Sequence, residues 1–213
     1  MVSPSIPTLL SRPQVAARPD PAVAFVPQFR SPGLPDGEPW GPQNGNCGPT
    51  SIVNALRLVG LDVPGFHGEH TQAAIDAARM LATGSADMAL PTLKSQQAFA
   101  LRSAGADVDI SRSLTDTLTA VRGGAVALIG GNRAADLWPR RADDAPPVGV
   151  ANHAAVIAAY RPDSDDYLID DPALPRPVAA SEAQLASFTQ VSDGARMLRV
   201  ALLVHGPGDR MQT

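Results

Sequence analysis

Residues 47–60 read CGPTSIVNALRLVG, and this stretch decides the fold. Pro49 suits an early helical position, where a missing backbone N–H costs nothing. Ile52, Val53, Leu56 and Val59 recur at helical spacing, and Gly60 ends the run. The spacing predicts a helix starting at Cys47, after a loop from Pro27 to Pro42 that is dense in proline and glycine. Cys47 is the only cysteine of the chain. It can join no internal disulfide and no thiolate cluster around zinc. Free cysteines are commonly small buried hydrophobes, so a chemical role for this one needs support from other residues.

The flanks fill in the organisation. Ten of the 21 prolines fall within the first 42 residues, and the first acid is Asp20, so residues 1–22 read as an extended, poorly ordered tail. Residues 23–206 read as one domain and 207–213 as a flexible end. AVAF at 22–25 is expected as a short strand, with helices over 70–82, 90–104 and 113–122. Beyond residue 123 the texture changes to short apolar runs, AVALIG, HAAVIAAY, DYLID and MLRVALLV, separated by Gly, Pro and Asp. These predict an antiparallel sheet, with a short helix over 181–188 before the last strand. The fold class is therefore α+β, with the Cys47 helix of a helical N-terminal half packed on a C-terminal antiparallel β-sheet.

Composition narrows the partners. The formal net charge is −4 and the pI about 5.5, which leaves no basic surface of the kind that neutralises phosphates, so nucleic acid is not an expected partner. Membrane-surface binding loses support for the same reason. No apolar run approaches the ~20 residues of a bilayer span. The N-terminus lacks a cleavable signal pattern, giving a cytoplasmic location as synthesised. A Ser/Pro-rich start with Arg but no acid also fits an uncleaved export signal of the injected-effector kind, as it fits a plain linker. A chaperone or an immunity protein is a possible partner, on which the sequence itself is silent. No cofactor and no metal is expected: His67 and His70, in FHGEH, lack zinc-protease spacing.

A thiol attacks as its thiolate, and a helix N-terminus beside an imidazolium lowers its pKa. Among the four histidines, His205 lies near the C-terminal end, while His153 opens the apolar strand NHAAVIAAY, where a polar ring needs a partner. An imidazole base is oriented by a third group. DYLIDDP supplies Asp170 and Asp171 at the end of the next strand, and alternation sends the two to opposite faces. Asp171 is the chosen partner. An oxyanion is held by the Cys47 backbone N–H together with a Gln or Asn upstream; Gln43 is the first candidate and Gln28 the alternative, with Asn44 and Asn46 also nearby. Gly48 leaves room for a substrate carbonyl, and Asn152 adjoins the base. Trp138 belongs to the long segment 132–149, which reads either as a groove wall that closes over the substrate or as a solvated insertion.

Taken jointly, GNCGPTSIVNAL, NHAAVIAAY and YLIDDP resemble the papain-like bacteriocin-processing peptidase family, which removes double-glycine leaders, and its stand-alone relatives. The chain is also similar to phytochelatin synthases and to papain-fold glutamine deamidase toxins. The resemblance implies a papain-like fold, a Cys47, His153, Asp171 triad in that order, no cofactor, and a protein or peptide substrate. The chemistry it implies is acyl transfer through a thioester: water gives peptidase or deamidase activity, and an amine gives transamidation. Gln43 stands closer to the cysteine than the family's glutamine, and no transporter accompanies the domain, so a leader-peptide substrate is not implied. Two rivals are a deamidase or transamidase toxin acting on a host or competitor protein, and a catalytically dead papain-like binding module.

Overall fold

Period-two alternation in the strands gives the sheet two apolar faces, and helices cover both. In the computed structural model, which describes residues 18–27, 45–68, 72–133, 137–138, 150–190 and 201–209, helices and an antiparallel sheet combine in an α+β architecture. The elements run α1 (Pro21–Ala24), α2 (Cys47–Leu58), α3 (Gln72–Thr83), α4 (Lys94–Ser103), β1 (Asp107–Ser111), α5 (Leu114–Arg122), β2 (Val126–Arg133), β3 (Val150–Arg161), β4 (Asp166–Asp170), β5 (Val178–Ala180), α6 (Glu182–Thr189) and β6 (Ala201–His205). The described strands form one sheet in the order β1-β6-β2-β3-β4-β5, each antiparallel to its neighbour.

Along β2 and β3, Leu128 and Val156 join the core beneath α2, α3 and α4, while Ala127, Ile129, Ala155 and Ile157 join a second core with α5, α6 and Trp138. α2 is buried nearly all round, and this is why a helix so apolar is stable here. Its one mid-helix amide is used: Asn54 Oδ1 accepts the Val26 N–H at 2.8 Å and Nδ2 donates to the Val26 carbonyl at 3.1 Å. The segment after α1 is thus tied to α2 as a ladder partner would be.

Several expectations change. Residues 22–25 are not a strand, because Asp20 accepts the Ala22 N–H at 2.9 Å and Pro21 starts a helical turn. Arg18, within the stretch expected as a loose tail, pairs at 2.8 Å with Asp209, within the expected flexible end. α4 starts at Lys94 rather than 90, since Leu90 precedes Pro91 and is disfavoured from helix. β1 and β5 were not foreseen. DVDIS alternates acids with apolar residues at the sheet edge, and VAA is three residues long.

Alternation at the end of β4 separates Asp170 from Asp171. Asp170 lies across from Val156 in register, on the strand row that faces α2. It is fully buried, and neither carboxyl oxygen finds a hydrogen-bond partner. Burial pushes its pKa well above the usual carboxylate range. A raised folded pKa means the folded state binds more protons than the unfolded one, and stability falls as pH rises past the unfolded value of about 3.9. Asp170→Asn removes that dependence. Its unfolding free energy relative to wild type should improve from pH 4 upward by up to about 1.4 kcal/mol per pH unit, as read by denaturant titration; a difference independent of pH would contradict it.

Candidate active site

Cys47 is half-buried at the first position of α2, with Asn46 at the N-cap. Asn46 does not cap its own helix. Its Oδ1 instead accepts from Arg79 Nη2, and Arg79, fully buried on α3, also donates to the Leu90 carbonyl at 3.1 Å and the Asp87 carbonyl at 3.4 Å. Gly45 completes this clamp: a Cβ there would overlap the Met88 carbonyl and lie 2.8 Å from that of Leu90. The approach to the helix is fixed from outside, and the first-turn N–H groups are not taken by a side-chain cap.

His153 lies on β3 opposite Gly131 and is 1% exposed. The residue before it, Asn152, has a left-handed φ of 50° and donates its N–H to Asn132 Oδ1 at 2.9 Å, beside a register shift between Gly131 and Arg133. This local irregularity re-aims the chain at the end of the strand pair. Asp171, fully buried just beyond β4, takes His153 Nε2 at 2.6 Å and the Ala173 N–H at 2.9 Å on Oδ1. Its Oδ2 accepts the indole N–H of Trp138 at 2.8 Å. Trp138 packs on Phe188 at 5.6 Å between centroids, and the Phe188 ring meets His153 edge-on at 6.3 Å.

With Nε2 given to Asp171, the buried Nδ1 of His153 forms no aligned hydrogen bond. The remaining ionisable neighbour of the ring is Cys47. The two groups interact electrostatically: burial pushes the Cys47 thiol up, but His153, aided by the backbone N–H groups of Ala154 and Gly48, brings it below its ordinary value. Burial likewise pulls His153 down, and Asp171 outweighs it, with help from Cys47, so the imidazolium persists above its usual range. Between the lowered thiol and the raised imidazole lies a pH window in which the sulfur is anionic and the ring cationic.

Each candidate residue has a definite place. Cys47, His153 and Asp171 are brought together, and Asp170 faces the other way. Gln43 and Gln28 lie outside the described residues, as does most of segment 132–149. Gly48 is buried, and its missing Cβ serves α4 rather than a substrate: a Cβ would overlap Thr92 Oγ1 and lie 2.9 Å from Gln97 Nε2. Asn152 is exposed beside His153. Trp138, expected on a groove wall, is 3% exposed, and its indole N–H goes to Asp171. His67 and His205 sit near Asp62 at 3.9 Å and Asp109 at 3.7 Å, and neither takes part in the Cys47, His153, Asp171 pairing. Sequence reasoning missed Arg79, although an arginine between Ile75, Ala78 and Ala82 on a buried helical face was the available sign.

Among the described residues, no group of three or more His, Cys, Asp or Glu could hold a metal ion, and no helix is long and apolar enough to cross a membrane. The geometry can support thiolate chemistry by an oriented imidazole. Trp138→Phe keeps a ring against Phe188 and removes the donor to Asp171. It should cost about 1.5–3 kcal/mol of stability, the range for a hydrogen bond to a charged group, and slow alkylation of Cys47 at neutral pH; unchanged alkylation would confine Trp138 to packing. The chain matches no model of a known protein family and no curated protein.

Proposed function

We propose that the chain is a papain-like thiol hydrolase that transfers the acyl group of a peptide or amide to Cys47 and then to water. The observation that carries this reading is the 2.6 Å contact between His153 Nε2 and a fully buried Asp171, which leaves Nδ1 of the same ring to serve the sulfur. A carboxylate held this way fixes the tautomer and orientation of its imidazole. The placement of Cys47 at the start of α2 adds the helix dipole to the same end.

In this reading the Cys47 thiolate attacks the carbonyl carbon, and the backbone N–H of Cys47 receives the oxyanion, with Gln43 as the side-chain donor. Collapse expels the amine, which takes its proton from His153. The neutral ring then removes a proton from water as water attacks the thioester, releasing acid and restoring the thiolate and imidazolium. Hydrolysis of a backbone amide makes a peptidase, and hydrolysis of a glutamine side chain makes a deamidase. A binding module without turnover has no use for a base oriented by a buried carboxylate, which weighs against the dead-module reading.

An iodoacetamide-based activity probe tests the reading on wild type, Cys47→Ala and His153→Ala. Wild type should label at neutral pH, Cys47→Ala not at all, and His153→Ala at least tenfold more slowly, as expected when an adjacent cation that lowers a thiol pKa is lost. Equal, slow labelling of wild type and His153→Ala would make Cys47 a structural residue. Mass spectrometry of peptide and protein substrates then separates chain cleavage from conversion of Gln to Glu.

A further inference from the structure

The chain has 17 basic residues apart from histidine, and all but one are arginines; the exception is Lys94. This only lysine lies at the first position of α4, half-buried, with its amine directed onto the sheet rather than into solvent. Nζ donates to the Leu128 carbonyl at 3.2 Å. The side chain crosses Gly130 so closely that a Cβ there would lie 3.3 Å from Lys94 Cε and 3.6 Å from Nζ. Gly130 pairs with Ala154, the residue after His153, and the Ala154 N–H acts on the Cys47 sulfur. The amine, the thiol and the base thus share one end of the β2–β3 pair.

The charge balance of this cluster is uneven. His153 has Asp171 as its counter-ion. Lys94 has one backbone carbonyl and no carboxylate among the described residues, and Cys47 is the only charge that favours its protonated form. Burial, the larger effect, pulls the amine down to about 7. An ammonium has three donors, and here one is used. Once the sulfur is acylated, its negative charge is gone and the ammonium keeps the Leu128 carbonyl but no charged partner among the described residues. A substrate carboxylate would replace the lost charge and supply the missing acceptors.

We propose that Lys94 is a specificity-determining residue that selects acyl substrates bearing a carboxylate close to the carbonyl attacked by Cys47. The inference rests on the thiol-hydrolase reading and deepens it. It predicts a preference for Asp or Glu over Asn or Gln beside the scissile bond.

Paired alkylation with iodoacetate and iodoacetamide, reagents differing chiefly in charge, tests it at one pH and ionic strength. The ratio of the two rate constants for Cys47 should fall about five- to tenfold in Lys94→Met, the effect of one nearby charge at intermediate dielectric. In Lys94→Arg it should stay within about twofold of wild type. His153 attracts the anion equally in all three proteins, so the comparison isolates position 94. A ratio unchanged in Lys94→Met, with iodoacetamide still fast, overturns the role of Lys94 and leaves the thiol reading intact. Slow reaction with both reagents in wild type overturns both. Should Lys94→Met fail to fold, Lys94→Gln carries the same expectation.

Discussion

The arrangement depends on one buried carboxylate. Asp171 has no exposure to water, so its charge is tolerated only because it collects an imidazole, a backbone N–H and an indole N–H. The same three donors fix its rotamer, and a fixed rotamer fixes the ring of His153. From there the constraint reaches the sulfur, since an imidazole held by Nε2 has only Nδ1 to offer. Asp170 next door shows the contrast: equally buried but with neither carboxyl oxygen hydrogen-bonded, it has its pKa pushed well above the usual carboxylate range. Two adjacent acids on one strand end meet opposite surroundings because alternation sends them to different faces.

Holding the sulfur against that ring is a separate problem, and packing from the helical side solves it. Arg79 grips both Asn46 and the 87–90 turn, Gly45 allows the turn to press close, and Gly48 lets Thr92 and Gln97 sit against the first turn of α2. The helix start is therefore clamped by α3 and α4, while the ring is clamped by β4 and Trp138. Site geometry of this kind needs rigid support from two independent sides. Lys94 enters through the same α4 segment, so the element that positions the thiol also sets the charge next to it.

Much of this was legible in the chain. The Cys47 helix announced itself through Pro49, the apolar spacing and Gly60, and the four main apolar runs gave the sheet because each alternates or is β-branched. Cys47, His153 and Asp171 could be ordered from the resemblance and from strand alternation. What stayed hidden were contacts between residues far apart in sequence. Trp138 lies 33 positions from its acceptor Asp171, and Arg79 the same distance from Asn46, and no local pattern encodes either pairing. Lys94 sits in an ordinary helical stretch, and only the fold brings it over Gly130. The edge strands β1 and β5 were lost to acids and to brevity, where pairing with a neighbour overrides weak local preference.

The central claim is that the Cys47 thiol is lowered below its ordinary pKa because His153 stands beside it. Thiolate ultraviolet absorbance followed across pH measures this directly, and with a single cysteine the signal has one source. A midpoint below the free-thiol value of about 8.5 is expected in wild type, and a higher midpoint in His153→Ala, where the strongest influence lowering the thiol is lost. A wild-type midpoint at or above about 8.5 would contradict it.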